Sequence, residues 1–363
     1  MNPIIDTALS IVEFIIIFGI MIFIHELGHF LTGKFFKVKI DEFGFGYPPR
    51  LLKMFTLGET DFTLNWIPFG GFNRFRGEND PSVPGSFAAE NPWKRLVILS
   101  GGSILNLVTG VFLFSLVFSQ IGAPDPSRVE IIGVAENSPA FEAGIISGDI
   151  VLEINNESIN SMEQLGSIVA ENVGREIQML ILRYDEQIEI ATIPRTNPPE
   201  GEGALGIVMS NPIVEISWVQ ATPYAVRMTI EQCRQLLLLP GRLIRGQIAP
   251  EQARIVGPVG IYSMYNQARE LDQEVAASTE ETLPAVNSLW LLAVISVALG
   301  LSNLLPIPAF DGGRILFILP EILLRRRVPP NYENIIHFVG FATMLALLFY
   351  ITFQDIINPV VLP

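Results

Sequence analysis

One cysteine, Cys233, in 363 residues leaves no partner for an intramolecular disulfide and no basis for a cysteine-ligated metal cluster. Histidine is almost as scarce: His25, His29 and His337 are the whole complement, so a metal site has to draw on these and on carboxylates. Positive charge is thin as well. Against 37 Asp and Glu stand 23 Lys and Arg, a formal net charge of −14. Residues 119–284 hold 23 of the acids and 10 of the bases, which leaves −13 in that one segment and nothing there basic enough to hold nucleic acid. The first apolar run has no Lys or Arg ahead of it, contains Glu13 and shows no small-residue cleavage site, so a retained span is expected rather than a cleaved secretory leader.

What the chain has in quantity is apolar residue: 49% of the sequence, with a mean hydropathy of +0.42, high for one soluble globule. Four runs reach the roughly 20 residues that a bilayer requires, at 7–31, 96–118, 286–305 and 335–353. The second carries Gly101, Gly102, Ser103 and Asn106 near its start, small residues that let another backbone approach. Short loops rich in Lys and Arg face the cytoplasm. Residues 32–95 and the Arg325-Arg326-Arg327 turn qualify, which puts both termini and the acidic 119–284 segment outside the cytoplasm.

Between the first two spans, Phe43–Gly46 and Phe62–Phe72 are aromatic, β-prone and punctuated by glycine and proline. They predict a hairpin or small sheet, either embedded in the membrane beside an active site or forming a cytoplasmic loop. Segment 128–216 alternates β-like runs at 129–134, 150–154, 177–182 and 188–193 with one helical stretch at 162–171, the pattern of a compact α+β module. Residues 223–239 have the spacing of an amphipathic helix, lying on the membrane surface or packed on the module, and 270–283 reads as a polar linker. The expected divisions are a first membrane part at 1–119, the module at 120–216, an amphipathic helix and linker at 217–284, and a second membrane part at 285–363.

The chemistry is concentrated in His25-Glu26-Leu27-Gly28-His29. Histidines at i and i+4 share one helix face, and the Glu beside them is placed to activate a water at a metal. Snorkelling to the interface explains one histidine but not a Glu between two at ligand spacing, and ionisable groups in an apolar helix are costly enough to imply function. A catalytic zinc takes three protein ligands. His337, Asp311 and Glu321 are the candidates for the third. Asp311 stands apart, because Pro306 and Pro308 interrupt the third span just before it and Gly312-Gly313 follows it, where backbone can come close. The plain alternatives are a helix-capping role for Asp311 and an interfacial imidazole at His337.

The helical H-E-x-x-H, the N-x-x-P-x-x-x-x-D-G run from Asn303 to Gly312 and the domain inserted between them resemble the site-2 protease family. Over almost its whole length the chain is similar to bacterial regulator of sigma-E protease homologues, including Gly44-Phe45-Gly46, Pro68-Phe69-Gly70-Gly71, the G-x-x-x-N element from Gly102 to Asn106, and Gly257-Pro258-Val259-Gly260-Ile261. The resemblance implies Zn2+ on His25, His29 and Asp311, Glu26 as general base, and Asn106 and Asn303 near the substrate backbone, where asparagine otherwise serves as interhelical glue. It further implies a multi-pass protein of the bacterial inner membrane that cleaves transmembrane segments of single-span membrane proteins, such as anti-sigma factors or remnant signal peptides. The stretch from Ser138 to Val151 resembles the helix-turn-strand of a PDZ domain, and Leu205-Gly206-Ile207 the loop by which such domains bind peptide C-termini. The insert has room for one such module, whereas some homologues carry two.

The expected fold is therefore a four-span helical membrane core with a membrane-associated β region and one α+β PDZ-like insert. Two rival functions remain at this level. One is a metal-binding membrane chaperone or adaptor without turnover, disfavoured by the intact Glu26. The other is a zinc transporter, disfavoured because a transport path needs ligands along it and the sequence offers one cluster.

Overall fold

The computed structural model describes residues 3–249, 254–278 and 285–359, which fall into two compact units. Unit 1 comprises Met1–Val117 and Trp218–Pro363, and unit 2 is Phe118–Ser217.

Unit 1 begins with α1 (Pro3–Phe35), continued by the long strands β1 (Ile40–Leu57) and β2 (Thr60–Phe75) and by α2 (Pro92–Ile121). Both expected β segments lie within these strands, which run well beyond them. Each strand bends at a glycine of positive φ, Gly46 (+76°) and Gly70 (+85°), a conformation costly for other residues. Two strands therefore do the work of four: 42–45 pairs with 61–64 on one side and with 71–74 on the other, while 50–57 covers the far side of 60–65. Residues 71–75 are left as a sheet edge. A buried carboxylate ties this sheet together, since Glu42 accepts from Thr63 Oγ1 (2.7 Å) and pairs with Arg50 and Arg74 (both 2.8 Å).

Glycine sets the approach of α1 to α2. A Cβ on Gly28 would run into the Gly101 carbonyl, and a Cβ on Gly101 would stand 2.5 Å from Thr32 Oγ1, so the two helices pack backbone against backbone.

After unit 2 the chain resumes with α5 (Trp218–Ile244), α6 (Pro258–Ser278), α7 (Val286–Leu304), α8 (Asp311–Leu324) and α9 (Pro330–Ile357). Helix α5 includes the expected 223–239 and packs on α7. On its polar side Arg234 and Gln235 bind Glu231 and hold its carboxyl down at about 2, so that face stays charged. Residues 270–278 correct an expectation: they are helical, the last turns of α6, and the rest of the expected linker, 279–284, lies outside the described residues. Of the polar side chains that suggested a linker, Asp272 is employed in packing, as is Arg269 just before them. Arg269 pairs with Glu13 of α1 (3.5 Å), and Asp272 accepts from Asn287 N, Ser288 N and Ser288 Oγ at the start of α7 (2.8, 2.9 and 2.6 Å). Tyr265 and Ala268 are buried against Phe14. At its other end α6 is held by Asp355 of α9. That buried carboxylate accepts from Gly257 N and Gly260 N (both 2.9 Å) and pairs with Arg254 (2.9 Å), which gives the Gly257–Ile261 sequence a structural reading.

The prolines end α7 as expected. Between α7 and α8 the backbone closes with Ile307 N to Leu305 O (2.7 Å) and Phe310 N to Ile307 O (3.2 Å), and Ala309 has φ +84°. Cβ atoms on Gly312 and Gly313 would overlap the carbonyls of Leu304, Leu305 and Ile307, so glycine is what lets α8 fold back over the turn. Among the described residues, four helices are long and apolar enough to cross a membrane: Ile5–Phe35, Pro92–Ile121, Val286–Leu304 and Asn331–Ile357.

Unit 2 contains β3 (Ala123–Pro124), β4 (Val129–Val134), α3 (Pro139–Glu142), β5 (Ile150–Ile154), β6 (Glu157–Ser158), α4 (Met162–Glu171), β7 (Ile177–Arg183), β8 (Glu186–Thr192), β9 (Ile207–Ser210) and β10 (Ile213–Val214). Its antiparallel sheet runs β8-β7-β5-β4-β9, with β6 on β5 and β3 paired separately to β10. Alternation buries Ile177, Met179 and Ile181 from one strand, and α4 covers them with Leu165 and Val169. Asp149, with no exposed surface, accepts from Arg183 Nε and Nη2 (2.7 Å each) and from Ile146 N (2.9 Å). Replacing Arg183 with Met leaves that buried charge without its cation, a loss of about 3 kcal/mol. The slowest-exchanging amides of β5 and β7, followed by mass spectrometry in the whole chain, are then expected to exchange roughly 10²-fold faster.

Candidate active site

Helix α1 presents His25 and His29 on one face, and the turn before α8 delivers Asp311 to them. His25 Nε2 stands 3.2 Å from His29 Nε2 and 3.1 Å from Asp311 Oδ2, and His29 Nε2 stands 3.2 Å from the same oxygen. A hydrogen bond satisfies one such pair, not three converging at once. Donors about 2.0–2.1 Å from a tetrahedral ion stand roughly 3.3 Å apart, so this set fits a zinc with its fourth position open. Among the described residues, these three are the group whose donors are close enough for a metal.

The surroundings fix the rings. His29 Nδ1 lies 2.8 Å from the Ile98 carbonyl, and because a carbonyl only accepts, the proton sits on Nδ1 and the Nε2 lone pair points into the cluster. Buried Asn106 reaches His25 Nδ1 at 3.4 Å through its amide nitrogen, while its Oδ1 has no partner. Turning that amide over sets Oδ1 to accept from Nδ1–H and gives His25 the same tautomer as His29. Gly102 supplies the space: a Cβ there would lie 2.5 Å from His29 Nε2 and 2.8 Å from His25 Nε2. The sequence marks Gly102 as a residue that admits another backbone; the structure shows that it admits the imidazole rings of His25 and His29 as well.

The other candidates have different places. His337 Nδ1 accepts from Ala309 N (3.3 Å), so this histidine supports the turn before Asp311 and is not among the clustered donors. Glu321 is engaged with the buried Arg95. Asp311 is the first residue of α8, whose N-cap is Phe310 with no side-chain capping bond. Asn303 donates to the Leu299 carbonyl (3.0 Å) and borders the same cavity as Asn106. Leu205, Gly206 and Ile207 belong to unit 2: Leu205 is in its core, Gly206 has φ +74° with its carbonyl taken by Ala135 N (2.8 Å), and Ile207 begins the edge strand β9.

Around the cluster is a cavity of about 530 Å³, bordered by Glu26, Asn106, Asn303 and Arg314 and by every residue from Gly71 to Phe75. Five consecutive strand residues on one wall mean that the sheet edge itself faces the cavity. Among the members that sequence reasoning missed are Tyr47, Asn73 and Arg314. Asn73 lies one residue past the predicted β segment at 62–72, and no local pattern there points to Glu26.

The profile of peptidase family M50 matches residues 13–347 of the chain. A putative zinc metalloprotease of Clostridium perfringens is 30% identical over 345 residues, covering 94% of this chain and 97% of its own length. The regulator of sigma-W protease of Bacillus subtilis is 25% identical over 96% of this chain and 98% of its own. Among solved structures, the PDZ domain of the SdrC-like protein of Listeria monocytogenes is similar over 22% of this chain and 85% of that domain, at 18% identity and a TM-score of 0.21.

Proposed function

The chain belongs to peptidase family M50 and is a zinc metalloprotease, and we propose that it cuts inside the transmembrane segments of single-span membrane proteins, anti-sigma factors and remnant signal peptides being the substrate classes. One observation carries this reading: the clustered donors come from α1, itself apolar and long enough to span a bilayer, and from a turn that interrupts the later helices. Hydrolysis at that depth acts on segments that lie in lipid.

His25, His29 and Asp311 hold the zinc, which supplies a Lewis acid for the scissile carbonyl and for water. Glu26 takes the proton from the attacking water and hands it to the leaving nitrogen. Helical carbonyls are already hydrogen-bonded, so a substrate is cut after it unwinds. The free edge at Gly71–Phe75 offers backbone N–H and C=O groups to the resulting extended strand, and Asn106 and Asn303 contact its backbone. In unit 2 the edge strand β9, with Leu205-Gly206-Ile207 at its start, takes peptide C-termini in the manner of a PDZ-like module. The protein lies in the bacterial inner membrane with four spans, and the basic loops 32–95 and 325–327 set the acidic 120–216 insert outside the cytoplasm.

The test uses purified protein in detergent with a single-span substrate, mapping fragment ends by mass spectrometry. Ends inside the hydrophobic segment, activity abolished by chelation and restored by zinc, are expected. Ends confined to the soluble flanks would sink the intramembrane assignment while leaving the protease intact.

A further inference from the structure

Two residues of β2 face Glu26 from the strand side. A Cβ on Gly71 would stand 3.0 Å from Glu26 Cγ, so glycine there leaves the room that the Glu26 stem occupies. Two positions on, hence on the same face, Asn73 donates through Nδ2 to the Glu26 backbone carbonyl (2.7 Å) and to the Glu26 carboxylate Oε2 (2.9 Å). Both partners only accept, so the amide has one possible orientation. Its own Oδ1 is buried and unpartnered. An unpaired buried oxygen costs stability, and an apolar residue of the same shape would avoid that cost, so packing alone does not account for asparagine at this place. A lone carboxylate on a helix rotates among rotamers; one bridged to its own main-chain carbonyl by a single amide does not.

We propose that Asn73 is a positioning residue for the general base, its amide holding the Glu26 carboxylate in one orientation in the space left by Gly71. The proposal rests on the reading of Glu26 as base. The β sheet then has a part in the chemistry besides any contact with substrate: it carries the donor that aims the base. The adjoining Phe75, two further along the same face, packs on Gly33 of α1, which keeps strand and helix in register over the two turns between Glu26 and Gly33.

The experiment compares wild type, Asn73→Leu, Glu26→Gln and the double variant on a single-span substrate, with zinc per chain measured on each. Asn73→Leu is expected to lower kcat about ten- to a hundredfold, the effect of a misplaced group, with KM within about threefold and zinc at wild-type occupancy. In the Glu26→Gln background the same change is expected to alter residual turnover less than about twofold, because a residue that acts through Glu26 has nothing left to position. Affinity for uncleaved substrate is expected to be equal in Glu26→Gln and the double variant. Should Asn73→Leu fail to fold, Asn73→Ala, which removes the donor without adding bulk or charge, takes its place with the same expectations. Normal kcat in the Asn73 variant, an undiminished loss in the Glu26→Gln background, or loss of zinc overturns the positioning role. Unchanged turnover in Glu26→Gln alone overturns the reading of the base instead.

Discussion

Glu26→Gln is expected to cut turnover by at least roughly 10²–10⁴-fold, the share that general acid–base catalysis supplies, while zinc stays on the protein. Glutamine keeps the length and planarity of glutamate but cannot take a proton, and Asn73 Nδ2, which donates to Glu26 Oε2 at 2.9 Å, can donate equally to an amide oxygen. The donors His25, His29 and Asp311 are untouched. Asp311→Asn is expected to give the opposite profile, with metal retention weakened because a neutral amide is a poor replacement for a carboxylate ligand. Elemental analysis and a cleavage gel on the two purified variants separate these outcomes. Full zinc occupancy with Asn at 311 would remove that residue from the ligand set, and full activity with Gln at 26 would remove the base.

The second large effect belongs to a residue with no side chain. Gly102→Ala is expected to weaken zinc binding about 10–100-fold, as losses next to metal ligands do, with turnover falling in step as occupancy drops. The added methyl would sit 2.5 Å from His29 Nε2, 2.8 Å from His25 Nε2 and 2.7 Å from the His25 carbonyl. His29 cannot simply swing away, since the Ile98 carbonyl holds its other nitrogen at 2.8 Å. Either the rings leave the metal or α2 separates from α1 at the Gly28–Gly101 contact. Gly19→Ala in α1 is the control, because a Cβ there meets nothing within 4 Å and zinc affinity should not change. Competition titration against a zinc chelator measures both.

The closeness of His25 to His29 is legible because their relation is local: i and i+4 on a helix is a distance fixed by the backbone. Asp311 was legible for a different reason, since Pro306, Pro308 and the glycine pair announce a break whatever packs around it. Asn73 was not, because nothing local to 62–75 says which helix residue faces it; the bond to Glu26 crosses 47 residues and depends on the sheet bending at Gly46 and Gly70. Helix α6 shows the converse error. Its buried stripe is narrow, Tyr265 and Ala268 against Phe14, and Arg269 and Asp272 are spent on neighbouring helices, so the apolar periodicity that marks a packed helix is weak at 270–278. The unit 2 strands alternate cleanly, and 129–134 and 150–154 appear with the expected bounds; the two-residue strands β3, β6 and β10 are too short for any pattern to carry.

Asp355 has a consequence in time. Gly257 and Gly260 need its carboxylate for their backbone N–H groups, yet it is encoded 98 and 95 residues later. At the roughly 5–20 residues per second of synthesis, about 5–20 s pass between the emergence of the start of α6 and that of the group that caps it. Throughout that interval the nascent α6 has an uncapped N-terminus, and Arg254 has no counter-ion there. Any premature stop between the two leaves the same defect permanently.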